Sequence, residues 1–169
     1  MTRDKVLSQV DLLIALERQR KEGKTIVFTN GCFDILHIGH TRYLAAARAL
    51  GDMLVVGVNS DASVRALEKA PDRPLVAQDE RAEILASLRA VDMVCIFEEP
   101  TPLELISALQ PDVLVKGGDW AVQAIVGAEQ VLAGGGRVLS IPFVDGHSTT
   151  SLVERIRGGG CNVVNKSKA

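Results

Sequence analysis

Aromatic residues make up only 4% of this 169-residue chain, with a single tryptophan and a single tyrosine, so Ala, Val and Leu have to fill the interior. Cysteine is equally sparse. Cys32, Cys95 and Cys161 are far apart, odd in number and form no C-x-x-C pair. That excludes a disulfide framework and a thiolate zinc site, and free thiols in a reducing cytosol fit best. No charge of one sign predominates: the net charge of −2 gives no reason to expect a nucleic-acid or anionic-membrane surface, and the ligands are expected to be small. Long apolar runs are missing too. The opening MTRDKVLSQVDLLIALERQRKEGK is broken by charges every few positions, so it holds neither a signal-peptide core nor a membrane span, and a cytoplasmic protein is expected. Finally, neither a G-x-x-x-x-G-K-[ST] loop nor a G-x-G-x-x-G turn occurs, which argues against ordinary kinases and dehydrogenases.

What is present is a regular alternation. Val6, Val10, Leu13 and Ile14 predict an amphipathic N-terminal helix over residues 3 to 21, closed by Gly23. Five short apolar runs follow as strands: TIVFTN, MLVVGV, VDMVCIF, DVLVKG and RVLSIPF. Helical segments near 40–50, 79–88 and 102–109 lie between them. The pattern predicts one α/β domain over residues 1–157, with a parallel sheet covered by helices on both faces and ligands bound beyond the carboxyl ends of the strands. GGGCNVVNKSKA, residues 158–169, has no packing pattern and reads as a flexible tail.

Three stretches interrupt the pattern at those carboxyl ends. TNGCFDILHIGH, residues 29–40, places His37 and His40 three apart where a strand gives way to a helix, a spacing that lets both imidazoles project to one side. The open N–H groups and positive dipole end of that helix invite an anion, phosphate above all. Gly39 permits close backbone approach, and Gly31 an unusual backbone angle just after the strand. Plainer readings are that the histidines cap the helix, or that they join His147 at a zinc ion. Cys32 as a nucleophile has no identifiable orienting group. In the second stretch, Ser148, Thr149, Thr150 and Ser151 run into a helix, offering hydroxyls for a phosphate cradle, although Ser151 with Glu154 also reads as a capping box. The third, KGGDW, sets Lys116, Gly118 and Asp119 after a strand, either as a turn or to meet a sugar hydroxyl or a hydrated Mg²⁺. The polar segment 68–78 reads as a mobile flap, in which Lys69 and Arg73 either neutralise phosphate or are solvated surface charges.

With H-I-G-H after TNGCFD and STTS before the last helix, the chain resembles the HxGH nucleotidyltransferases, of cytidylyltransferase-like type. Their fold is a Rossmann-like, doubly wound, mainly parallel sheet. Over a longer span, through VNSDASV, RPL, DERAEILASLRAVDMV, TPLELI, PDVLVKGGDW and GHSTT, it looks like the adenylyltransferase half of bacterial ADP-heptose synthases, here without the sugar-kinase half. The resemblance implies transfer of AMP from ATP, accompanied by Mg²⁺, to the sugar 1-phosphate D-glycero-β-D-manno-heptose 1-phosphate, for lipopolysaccharide core synthesis. It implies that His37 and His40 contact the nucleotide phosphates and stabilise the transition state. Thr29, Asn30, Gly31, Phe33 and Gly39 would shape the nucleotide pocket, and Ser148, Thr149, Thr150 and Ser151 would hold the phosphates. Asn59, Asp61, Lys69, Arg73, Lys116, Gly118 and Asp119 would lie toward the substrate, and a homo-oligomer, a dimer, is implied. Glycerol-phosphate cytidylyltransferases resemble the chain in the same motifs but carry Arg-Thr where this chain has Phe143 and Val144. A cytidylyltransferase acting on glycerol 3-phosphate and a nucleotide-binding regulatory module without turnover are the alternatives.

Overall fold

The computed structural model describes residues 2–67, 72–142 and 148–158. Five strands, β1 (Ile26–Gly31), β2 (Met53–Asn59), β3 (Met93–Phe97), β4 (Val113–Gly117) and β5 (Arg137–Ile141), form one sheet in the order β3-β2-β1-β4-β5. All the pairings are parallel. Because successive side chains leave a strand on opposite faces, each strand feeds two cores. Ile26, Phe28 and Val55 enter one, with Leu105, Ile106 and Leu109. Val27, Leu54, Val56 and Val58 enter the other, with Leu44, Ala47 and Leu85. Burial on both faces is why these strands are continuous apolar runs.

The covering helices are α1 (Gln9–Lys21), α2 (Ile38–Arg48), α3 (Asp61–Ala66), α4 (Gln78–Ala86), α5 (Leu103–Leu109), α6 (Ala128–Ala133) and α7 (Thr149–Arg157). At the amino ends of the strands, aspartates accept from the first N–H groups of neighbouring strands. Asp112 takes Ile26 N–H at 2.7 Å and Asp92 takes Leu54 N–H at 2.8 Å, which fixes the register against slippage.

The first helix differs from its sequence expectation. It begins at Gln9, where the Ser8 side chain caps it, and Gly23 follows it with φ +73°. Leu12 and Leu16 form its buried face, while Val10 and Ile14 are 67% and 50% exposed. Val6 lies outside the helix and bridges to Val94 beside β3. The first turn thereby starts later than the apolar spacing suggests, and the helix presents a different stripe to the sheet. Helices α3 and α6, six residues each, are too short to show a periodicity and were not expected. The tail from Gly159 on, with Cys161, lies outside the described residues.

Candidate active site

The chain order runs outward from β1 through β2 to β3, then returns to the other side of β1 as β4. That reversal leaves a crevice above the carboxyl ends of β1 and β4. A cleft of about 520 Å³ opens there, lined by Asn30 and Gly31 from β1, Lys116 from β4, His40 from α2 and Thr149 and Thr150 from α7. The structure thus brings together residues from all three of the stretches singled out in the sequence.

His37 is the N-cap of α2: its Nδ1 accepts the Gly39 N–H at 3.1 Å. An accepting Nδ1 carries no proton, so the ring N–H lies on Nε2. The helix-capping reading therefore holds for His37, which is not among the residues lining the cleft. Its ring stacks on His40 with centroids 4.0 Å apart, and Phe33 meets His40 edge-on at 5.4 Å. His40 lines the cleft, and its Nδ1 is buried without a hydrogen-bond partner among the described residues. Burial, and then the neighbouring His37, lower its pKa from the ordinary 6.5 to about 4. His40 is accordingly neutral near neutral pH. Among the described residues no group of three or more His, Cys, Asp and Glu side chains is placed to hold a metal ion, and His147 lies outside them.

This environment makes stability depend on acid in one direction. Between pH 6.5 and about 4 the unfolded chain binds a proton at His40 that the folded chain refuses, so its contribution is complete above 6.5 and declines as pH falls through that window. Asp34 works in the same sense. Burial alone raises its pKa, but bonds from Arg73 and from the Leu75 and Val76 N–H groups outweigh that and hold the carboxyl below its usual range. Its contribution is present above the ordinary carboxylate pKa, about 4, and is lost as pH falls through the depressed value. Urea midpoints are expected to fall between about pH 7 and about pH 4.5, with a smaller drop in His40→Ala. A wild-type midpoint constant over that range would contradict the burial of His40.

Asp34, which lines the cleft, and Arg81, buried behind it, were not singled out by the sequence and hold its walls in place. Asp34 accepts from Arg73 Nη1 at 2.6 Å and from Leu75 and Val76 N–H at 2.8 and 2.9 Å, so the described part of segment 68–78 is clasped to the loop after β1. Arg73 is therefore a largely buried ion-pair partner with a side chain 13% exposed, not a solvated charge. Across the mouth, Arg157 of α7 pairs with Asp72. Arg81 is fully buried on α4 and donates to Cys32 O at 2.5 Å, Val76 O at 2.9 Å and Asp61 Oδ1 at 2.7 Å. One guanidinium thus ties the post-β1 loop, the flap and α3 together. It lies on the same helical face as the buried Ala82, Leu85 and Ala86, and a charge on an apolar stripe was the signal available in the sequence.

Several expected contacts are redirected. Thr29 is fully buried, and its hydroxyl bonds Tyr43 OH at 2.6 Å, behind the cleft; Tyr43, which does line it, was missed. Gly31 has no positive φ; the left-handed residue is Phe33, at φ +49°. What Gly31 provides is room, since a Cβ there would stand 3.0 Å from the Phe33 ring. The carboxylate of Asp61 is taken by Arg81. Asp119 is exposed and outside the cleft lining, while Gly118, at φ +120°, bonds back to Ile141 O and turns the chain. The capping box is Ser148 with Ser151, not Ser151 with Glu154, because α7 starts at Thr149 and puts Ser151 in its first turn. Ser148 and Ser151 bond each other, leaving Thr149 and Thr150 at the cleft. Asn59 is buried beside a second hollow. Lys69 and the Phe143, Val144 and Gly146 positions of the last motif lie outside the described residues. No helix among the described residues is long and apolar enough to cross a membrane.

Comparison with known proteins gives three findings. The cytidylyltransferase-like family model matches residues 28–155. Among curated proteins, the bifunctional protein HldE of Syntrophotalea carbinolica is 56% identical over 152 residues, 90% of this chain and 31% of that protein. HldE of Trichlorobacter lovleyi is 57% identical over 151 residues, 89% of this chain and 30% of that protein. The chain therefore spans about a third of the length of the curated relatives it matches. Among solved structures, the lipopolysaccharide core biosynthesis protein from Thermoplasma volcanium is 29% identical with a TM-score of 0.59, over 72% of this chain and 98% of that one. Pantothenate synthetase from Thermus thermophilus, 18% identical with a TM-score of 0.58 over 83% of this chain and 62% of that one, shares the fold.

Proposed function

Since the chain belongs to the cytidylyltransferase-like family, we propose that it transfers AMP from MgATP to D-glycero-β-D-manno-heptose 1-phosphate, forming ADP-D-glycero-β-D-manno-heptose and pyrophosphate for the lipopolysaccharide inner core. The observation that carries the reading is His40 of α2, stacked on the His37 that caps the helix and lining a crevice that also receives Lys116 and the start of α7. The similarity to HldE proteins and to a lipopolysaccharide core biosynthesis protein supports a sugar phosphate as acceptor.

The chemistry asks for alignment and charge stabilisation. An acceptor phosphate oxygen attacks the α-phosphorus of ATP, the bond to the α,β-bridging oxygen breaks, and the electron pair leaves with pyrophosphate. A phosphate monoester has a second pKa of about 6, so the acceptor arrives largely dianionic and no base has to activate it. Negative charge grows on the α-phosphate and the departing group, toward the His40 imidazole, Lys116 and the amino ends of α2 and α7. Mg²⁺ would enter as part of the nucleotide substrate, where phosphate oxygens suit a hard cation. Three scattered thiols and the need for ATP fit the cytoplasm, and Val10 with Ile14, exposed one turn apart on α1, offers a face for a second copy.

Pyrophosphate release with Mg²⁺ and each of ATP, CTP, GTP and UTP, with and without heptose 1-phosphate, tests the reading. Release is expected from ATP plus heptose 1-phosphate alone. Activity confined to CTP and glycerol 3-phosphate would overturn the substrates. Silence with every pair would leave a nucleotide-binding module.

A further inference from the structure

Next to the main cleft a second hollow of about 310 Å³ opens over the ends of β1, β2 and β4. Asn30, Gly31, Cys32, Lys116 and Trp120 line both, so the two are halves of one groove meeting along that seam. Beyond the seam their linings differ in kind. The main cleft has His40, the Arg73–Asp34 and Arg157–Asp72 pairs and the first turn of α7. The second hollow has instead Asn59, Pro100, Thr101, Pro102, Ala124 and Val126, and Lys116 at the seam is the one charged side chain among its described lining residues.

Those walls suit a different guest from a triphosphate, whose several charges call for several donors. They match a hydroxylated ring carrying a single phosphate. Asn59 is 4% exposed and held in place, its Nδ2 donating to Ser63 Oγ at 2.9 Å while Ser63 donates to Glu99 O at 2.8 Å. A buried amide has further donor and acceptor capacity that a ring hydroxyl can use. Trp120 is pinned by its indole N–H to Gly117 O and by its backbone N–H to Ser140 Oγ, both at 3.1 Å, yet stays 50% exposed. An aromatic face fixed at a pocket wall packs well against the C–H side of a sugar ring.

We infer that the second hollow is the acceptor subsite. The ring of a sugar 1-phosphate lies between Trp120 and the Pro100–Pro102 segment, Asn59 meets a ring hydroxyl, and the phosphate sits by Lys116 at the seam, facing the nucleotide in the main cleft. This assignment rests on the transfer reading above for the identity of the acceptor.

Trp120 is the only tryptophan of the chain, so its fluorescence reports both halves of the groove. Wild type, Ala124→Phe and Val126→Phe are titrated with heptose 1-phosphate in the presence of Mg²⁺ and a non-hydrolysable ATP analogue, and separately with the analogue alone. Both positions are exposed on the wall of the second hollow and outside the main cleft, so added rings fill the subsite without burdening the core. The sugar phosphate Kd is expected to rise about tenfold or more, with the analogue's Kd within about twofold of wild type. An unchanged sugar phosphate Kd in both variants, an equal loss of analogue binding, or no wild-type response to the sugar phosphate would overturn the assignment. Binding lost in the variants, from a wild type that releases no pyrophosphate, would keep the subsite and sink the transfer reading. Turnover with an acceptor KM that neither variant alters would do the reverse.

Discussion

His40→Ala is expected to lower kcat about a hundredfold or more while leaving the thermal midpoint close to that of wild type. The two halves of this expectation have separate causes. No described group bonds Nδ1 of His40, so truncation strands no partner and relieves a buried polar atom of its desolvation. What disappears is an imidazole lining the cleft where charge develops on phosphate. His37→Ala should reduce turnover by a similar factor but also cost about 1 kcal/mol of stability, since the Gly39 N–H loses the acceptor that caps α2. Steady-state rates and urea unfolding on the same preparations check both. Turnover near that of wild type in either variant would remove that histidine from the chemistry.

Arg81→Met should be the most damaging single change to the fold, at about 3–5 kcal/mol. The substitution nearly conserves volume, but leaves the Cys32 and Val76 carbonyls and the Asp61 carboxylate without their donor. Arg81→Lys should recover only part of the loss, because an ammonium on one nitrogen cannot reach three acceptors that a planar fork spans. The urea midpoint gives the energy. The KM for ATP adds a second readout, one that a smaller folded fraction does not move: it should rise in Arg81→Lys as the loop bearing Phe33 and Asp34 loosens. Wild-type stability in Arg81→Met would mean that the three acceptors find other partners.

The sheet was legible because burial on both faces writes itself as short apolar runs, and the strands lie where TIVFTN, MLVVGV, VDMVCIF, DVLVKG and RVLSIPF predict. The outer layers were less so. In α1 the pairs Val10/Ile14 and Leu12/Leu16 both repeat one turn apart, and spacing cannot say which of two stripes meets the sheet. At the site, His40, Asn30, Lys116, Thr149 and Thr150 were readable because motifs at strand ends mark them. Asp34, Tyr43 and Arg81 were not, since their roles are set by partners far away in the chain: Val76 for Asp34, Val115 for Tyr43 and Cys32 for Arg81. A motif records what a residue is, whereas these three matter for what they reach.

The strand order also sets a schedule. Val27 of β1 lies beside Leu54 on one side and Val113 on the other, so the β1–β2 half of the sheet can close early, while the β1–β4 seam requires a loop enclosing about half of the chain. Parallel pairings between distant segments pay their closure entropy before any contact repays it. Helical structure and the β1–β2 unit should therefore form first during refolding, and the crevice last. A chain growing from a ribosome would carry both histidines for the time it takes to make some eighty more residues before Lys116 arrives opposite them. The cleft is thus a property of the finished sheet, since β1 and β4 have to be paired before Lys116 stands opposite His40.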